Sequence, residues 1–246
     1  MDCLTDEPIC CIQIDLSNNR LCGVYHNGYY FEGTYTDVDI KAIADAIVRS
    51  SLTAANLLSN QFDTESAAML LKIKDDKPQL VTLCGLTHQQ TKLNLSQEGL
   101  RPADAMLLAP EIAVSHSLSY LNLASNNLAA GETSWVKPSE IQGDRRVGAN
   151  VTYQGRNMTI SKIDSDGDVK MVDMSGIKAI ADSIAVSHSL TECDLRRNNL
   201  GTEGWCSIFD ALAKSTSSKI CKWELFTPGI RGENIGPEGA KSLAAY

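Results

Sequence analysis

The stretch Ala113–Leu128, AVSHSLSYLNLASNNL, returns at Ala185–Leu200 as AVSHSLTECDLRRNNL, 72 positions further on. Both copies carry the pattern L-x-x-L-x-L-x-x-N-x-L. It falls on Leu118, Leu121, Leu123, Asn126 and Leu128, and then on Leu190, Cys193, Leu195, Asn198 and Leu200. The template also finds Cys11, Ile14, Leu16, Asn19 and Leu21, and Leu52, Ala55, Leu57, Asn60 and Phe62. A weaker copy has Leu93, Leu95 and Leu100, with Glu98 at the Asn position. A last one has Ile220, Trp223 and Leu225, followed by Asn234 and Ile235. The short alternating part reads as a strand. The segments that follow (DIKAIADAIV, ESAAMLLKI, PADAMLLAPEIA, GIKAIADSIA, GWCSIFDALA and GAKSLAA) repeat Ala, Leu and Ile at helical spacing and read as helices with one buried face.

A strand and a helix of this size cannot bury their apolar sides alone, so neighbouring units must stack. The buried Asn is expected to hydrogen-bond backbone groups in the turn and tie one unit to the next. Most steps between copies exceed the shortest one, and the longest holds an insertion of about 44 residues between Leu128 and the helix that starts near Ser175. The segment Cys22–Thr36 and the segment Phe226–Glu233 occupy the same loop of their own units. The extra residues Lys74–Gln89 come after a helix and are expected on the opposite edge.

These motifs resemble a leucine-rich repeat, and their long form is similar to the ribonuclease-inhibitor-like subfamily, with NNLGTEGWCSIFDALA and ENIGPEGAKSLAA as the nearest stretches. The resemblance implies a right-handed α/β solenoid of about six strand-turn-helix repeats, with a parallel sheet on the concave face and helices outside. It also implies binding to another protein through that face. The expected organisation is repeats 1–4 (first part) over 1–130, an inserted β module over 131–174, and the rest of repeat 4 with repeats 5–6 over 175–246. Within the insertion, ANVTYQG, MTISKID and DVKMVDM alternate like strands, with Gln154-Gly155 and Asp166-Gly167 as turns. That segment resembles a small SH3-like or Tudor-like barrel. DSDGD at Asp164–Asp168 reads as a hairpin turn, because the glycine and glutamate that a calcium loop needs are Val169 and Ser175 here.

Composition narrows the function. The chain has 246 residues, 43% hydrophobic, and a net charge of −8, which argues against a nucleic-acid binder. The longest apolar runs are too short for a membrane span, and the acidic start at Asp2, Asp6 and Glu7 is unlike a signal peptide. An intracellular, cytoplasmic protein with reduced, mostly buried cysteines is expected. No phosphate loop, nucleophile elbow or zinc-ligand spacing occurs, so no enzyme activity, catalytic residue, cofactor or metal is expected.

Between the inward positions of each strand the residues point outward. The partner-binding candidates on this face are Tyr120 and Asn122, then Glu192, Asp194 and Arg196, then Lys222, Glu224 and Phe226. A rim of aromatic residues is the second candidate surface: Tyr25, Tyr29, Tyr30 and Phe31 from the first insertion, with Trp135 and Tyr153 from the long one. The expected role is an adaptor or scaffold for a protein partner of unknown identity. The alternatives are a structural subunit of a large assembly, or a regulator of an enzyme such as a GTPase activator or inhibitor. The stop at Tyr246 inside the last coil reads as an array that continues or is covered by a partner.

Overall fold

The computed structural model describes residues 12–26, 31–34, 36, 38–87, 89–129, 133, 135–153, 156–220 and 232–246. They form a mixed α/β structure with six α-helices and four sheets, and the chain divides into two compact units, Met1–Thr87 and His88–Tyr246.

In the first unit β1 (Ile12–Asp15) pairs in parallel with β4 (Leu52–Asn56). Between them β2 (Val24–His26) and β3 (Phe31–Gly33) form a small antiparallel hairpin, followed by α1 (Val38–Arg49). The next helix is α2 (Thr64–Asp76), started by Asp63, whose carboxylate accepts the Ser66 N–H at 2.8 Å. The apolar positions of both helices, Ile40, Ala44, Ile47, Ala67 and Leu70, are buried, as are Ala55, Leu57 and Phe62. Lys77 is buried at the end of α2, and its Nζ donates to Ile47 O and, at 2.5 Å, to Ser50 O. Ile47 O also accepts the Ser50 N–H and Oγ–H, so the ammonium group joins a cluster at the C-terminal end of α1.

The second unit is built on β5 (Lys92–Asn94), β6 (Tyr120–Asn122) and β11 (Glu192–Asp194), a parallel sheet in the order β11-β6-β5. The helices α3 (Pro102–Val114), α4 (Ser175–Val186), α5 (Gly201–Lys214) and α6 (Gly236–Ala245) accompany it, with contacts from α3 to α4, α4 to α5 and α5 to α6. Proline at the first position of α3 fits a place where no N–H is needed, and Asp104 accepts the Arg101 N–H at 2.8 Å. Leu107, Leu108, Ile112, Ile177, Ile180, Ile184, Trp205, Ile208 and Phe209 are buried, and Leu118, Leu121, Leu123, Leu190, Cys193 and Leu195 meet them from the strand side.

Buried asparagines connect neighbouring segments. The Asn126 amide donates to Leu95 O at 2.8 Å and Leu123 O at 2.9 Å, and its Oδ1 accepts the Leu100 N–H at 3.0 Å. Asn198 donates to Leu123 O and Leu195 O and accepts from Leu128. In the first unit Asn60 does the same for Leu16, Leu57 and Asn19.

The expected single six-repeat solenoid with one parallel sheet is corrected. The parallel pairing is divided between β1-β4 and β11-β6-β5, and the other two sheets are antiparallel. Of the extra residues Lys74–Gln89, the first three belong to the helix and part of the rest is paired. The helix runs on to Asp76, and the following segment lies along β4: Ala55 N–H donates to Thr82 O at 3.0 Å and Leu57 N–H to Leu83 O at 2.9 Å. Leu80, Leu83 and Leu86 are buried there.

The insertion forms a sheet of its own, and β6 and β11 pair in parallel across it. Its strands β7 (Ile141–Gly143), β8 (Asn150–Tyr153), β9 (Arg156–Ile163) and β10 (Val169–Val172) form an antiparallel meander in the order β10-β9-β8-β7. Just before β7 the chain runs along the free edge of β10, where Thr133 N–H donates to Met171 O and Val136 and Val169 exchange backbone hydrogen bonds, each at 2.9 Å. The sheet has a core of its own: Val136, Ile141, Val151, Met158, Ile160, Val169 and Met171. At the β9–β10 turn the Asp164 carboxylate accepts the N–H groups of Asp166 and Asp168, each at 2.9 Å.

Candidate partner-binding surface

The register of β5, β6 and β11 sorts the outward residues into rows. Lys92 pairs with Tyr120 and Tyr120 with Glu192; Asn94 pairs with Asn122 and Asn122 with Asp194. Between these rows Leu121 and Cys193 point inward and are buried. Burial pushes the Cys193 thiol well up, with the Asp194 charge adding to it, so the thiol stays neutral.

The second row is occupied by the fold itself. Asn94 Oδ1 accepts the Ser96 N–H at 3.1 Å, Asn122 Oδ1 the Ala124 N–H at 3.0 Å, and Asp194 Oδ1 the Arg196 N–H at 3.1 Å. Each side chain ends its strand by taking the N–H two residues on. Arg196 folds back on Asp194, with Nε to Oδ1 at 2.8 Å and Nη2 to Oδ2 at 2.5 Å, and this bond holds the guanidinium charge firmly in place. Three of the expected surface residues, Asn122, Asp194 and Arg196, are therefore tied up in local structure.

The row on the other side of the first is also self-satisfied. Ser119 Oγ donates to Thr91 O and Thr191 Oγ1 to Ser119 O, both at 3.0 Å. The row between them, Lys92–Tyr120–Glu192, is different. Lys92 and Glu192 are exposed, Tyr120 is half-buried, and among the described residues neither charge has an ion pair or side-chain hydrogen bond.

Of the aromatic rim, Trp135 is 45% exposed, with Lys170 Nζ 5.3 Å from its ring centroid. Tyr153 instead packs against the core of the inserted sheet. Tyr25 and Phe31 stand on β2 and β3, where the description covers the backbone, while Tyr29, Tyr30, Lys222, Glu224 and Phe226 lie outside the described residues. His116 and His188 are exposed, and among the described residues no group of three His, Cys, Asp or Glu side chains is placed to hold a metal ion.

Strand alternation puts Lys92 on the outward face as well, although it is not among the partner-binding candidates of the sequence reading. It lies in the weakest copy of the motif, and only the register shows it beside Tyr120. Two clefts of about 640 and 370 Å³ run between the inserted sheet and the first turns of α5 and α6. They share Val147, Thr202 and Glu203 and include none of the expected site residues. Comparison of the chain with protein-family models and with curated proteins finds no match. Among the described residues no helix is long and apolar enough to cross a membrane.

Proposed function

We propose that this chain is a protein-interaction module, an adaptor or scaffold acting without catalysis in the cytoplasm, which holds a partner on the outward face of β5-β6-β11. The observation that carries the reading is the Lys92–Tyr120–Glu192 row. Its neighbours on both sides spend their polar groups on the fold, whereas this row presents a cation, a phenol ring and an anion that the described fold does not use. Tyrosine supplies large contact area with few rotatable bonds, and unpaired charges around it give direction to an encounter. Trp135 is a flanking contact in this reading. The resemblance of the L-x-x-L-x-L-x-x-N-x-L segments to leucine-rich repeats supports a binding role and is proposed as kinship.

The test is affinity capture from native extract, comparing the intact chain with the triple variant Lys92→Ala/Tyr120→Ala/Glu192→Ala and with Lys241→Ala on α6 as control. A partner held by the intact chain and the control and lost by the triple variant is expected. A partner held by all three would remove this face from the function.

A further inference from the structure

The same row specifies the shape of what it binds, and this inference rests on the face being a protein-binding surface. Hydrogen-bonded strands lie about 4.8 Å apart, so Lys92 and Glu192, separated by one strand, have Cα atoms about 10 Å apart. The row crosses the strands, with a cation at one end, Tyr120 in the middle and an anion at the other. On the described strands the Asp194–Arg196 pair is matched within itself, and Asn94 and Asn122 are uncharged, so the row keeps its alternation of sign there.

Three regular backbones can lie along such a row, and one of them, a polyproline II segment with a face repeat of about 9.3 Å, has no side chain on that face in between to meet Tyr120. An extended segment places same-face side chains about 6.7 or 13 Å apart, and neither matches. An α-helix places residues i and i+7 on one face about 10.5 Å apart, with i+3 and i+4 between them. From the charge order and this spacing we propose that the face takes a partner α-helix lying across the strands. That helix carries an acidic residue opposite Lys92, a basic residue seven positions away opposite Glu192, and an apolar residue between them against Tyr120.

The experiment uses the full chain and fluorescein-labelled peptides in an anisotropy titration. The first peptide is alanine-rich and helical, with Glu at i, Leu at i+4 and Lys at i+7. The second has Lys at both ends of the same spacing. The third has the first peptide's residues with two internal prolines that prevent a helix. Saturable binding of the first peptide is expected, at least tenfold weaker with Lys92→Glu or Tyr120→Ala. The Lys92→Glu variant is expected to prefer the second peptide, because two anions then face two cations.

Equal binding of the proline peptide, no saturable binding of any helical peptide, or indifference to Lys92→Glu would overturn the helix proposal. The extract capture separates this from the broader reading. A partner lost by the triple variant while helical peptides fail leaves the face as a binding surface with a non-helical partner. A partner kept by the triple variant overturns both.

Discussion

Asn198 is fully buried, and its amide serves Leu123, Leu195 and Arg196 while its oxygen takes the Leu128 N–H. Alanine there strands several buried backbone groups at once, so Asn198→Ala should cost about 3 kcal/mol. Urea unfolding of the variant beside the parent protein measures it. A loss within a few tenths of a kcal/mol would mean that water replaces the amide. The motif made these asparagines legible, because a polar residue at a fixed place in an apolar repeat has to satisfy backbone. The roles of Asn122 and Asp194 were not legible. As outward residues of a strand they look available, and only the turn geometry shows them accepting from the residue two ahead. Cys193 gives a pH prediction. Its folded thiol ionises at higher pH than the unfolded one, so its contribution is complete below the ordinary thiol value near 9.0 and is lost as pH rises above it. The urea midpoint should fall between about pH 8 and about pH 10, and fall less for Cys193→Val.

At the scale of elements, helices were the most readable feature. Each of the six segments with helical periodicity lies on a helix, because a buried stripe over three turns is a long, redundant signal. The strands of the parallel sheets are three to five residues long where described, too short to show which neighbour each will take. That choice was decided by segments with no asparagine marker, above all Leu80–Leu86 lying along β4. The contact between α3 and α4 depends on Gly176. A Cβ there would lie 2.6 Å from both Cα and O of Pro102, backbone atoms that cannot swing aside. Gly176→Ala should therefore destabilise by about 1–3 kcal/mol, although alanine is the better helix former. A thermal unfolding midpoint unchanged or raised would show that the two helices can part without loss. The inserted sheet has its own apolar cluster, with Ile160 fully buried in it. Ile160→Ala should cost about 2–5 kcal/mol in that sheet. Hydrogen exchange should show β8–β10 opening while β6 and β11 stay protected.

At the scale of the whole molecule, the repeat predicts one continuous array, and the chain instead divides at Thr87 and His88 into two compact units. The repeat marked helices and buried asparagines, and it misled on a single parallel sheet, which the described residues divide in two. The inserted antiparallel sheet does not break the parallel pairing, since β6 and β11 pair across it. The candidate surface was half legible. The outward positions of Lys92, Tyr120 and Glu192 followed from the alternation of the strand, while their shared row and the exclusion of Asn122, Asp194 and Arg196 needed the register and hydrogen bonds. The claim that matters most is that the Lys92–Tyr120–Glu192 row touches a partner. It is tested most directly by replacing single residues with photoreactive p-benzoylphenylalanine and irradiating the protein in native extract. Covalent adducts of one partner from positions 120 and 192, and none from exposed Asp182 on α4, are predicted. Adducts from position 135 or 182 with none from 120 and 192 would contradict the account.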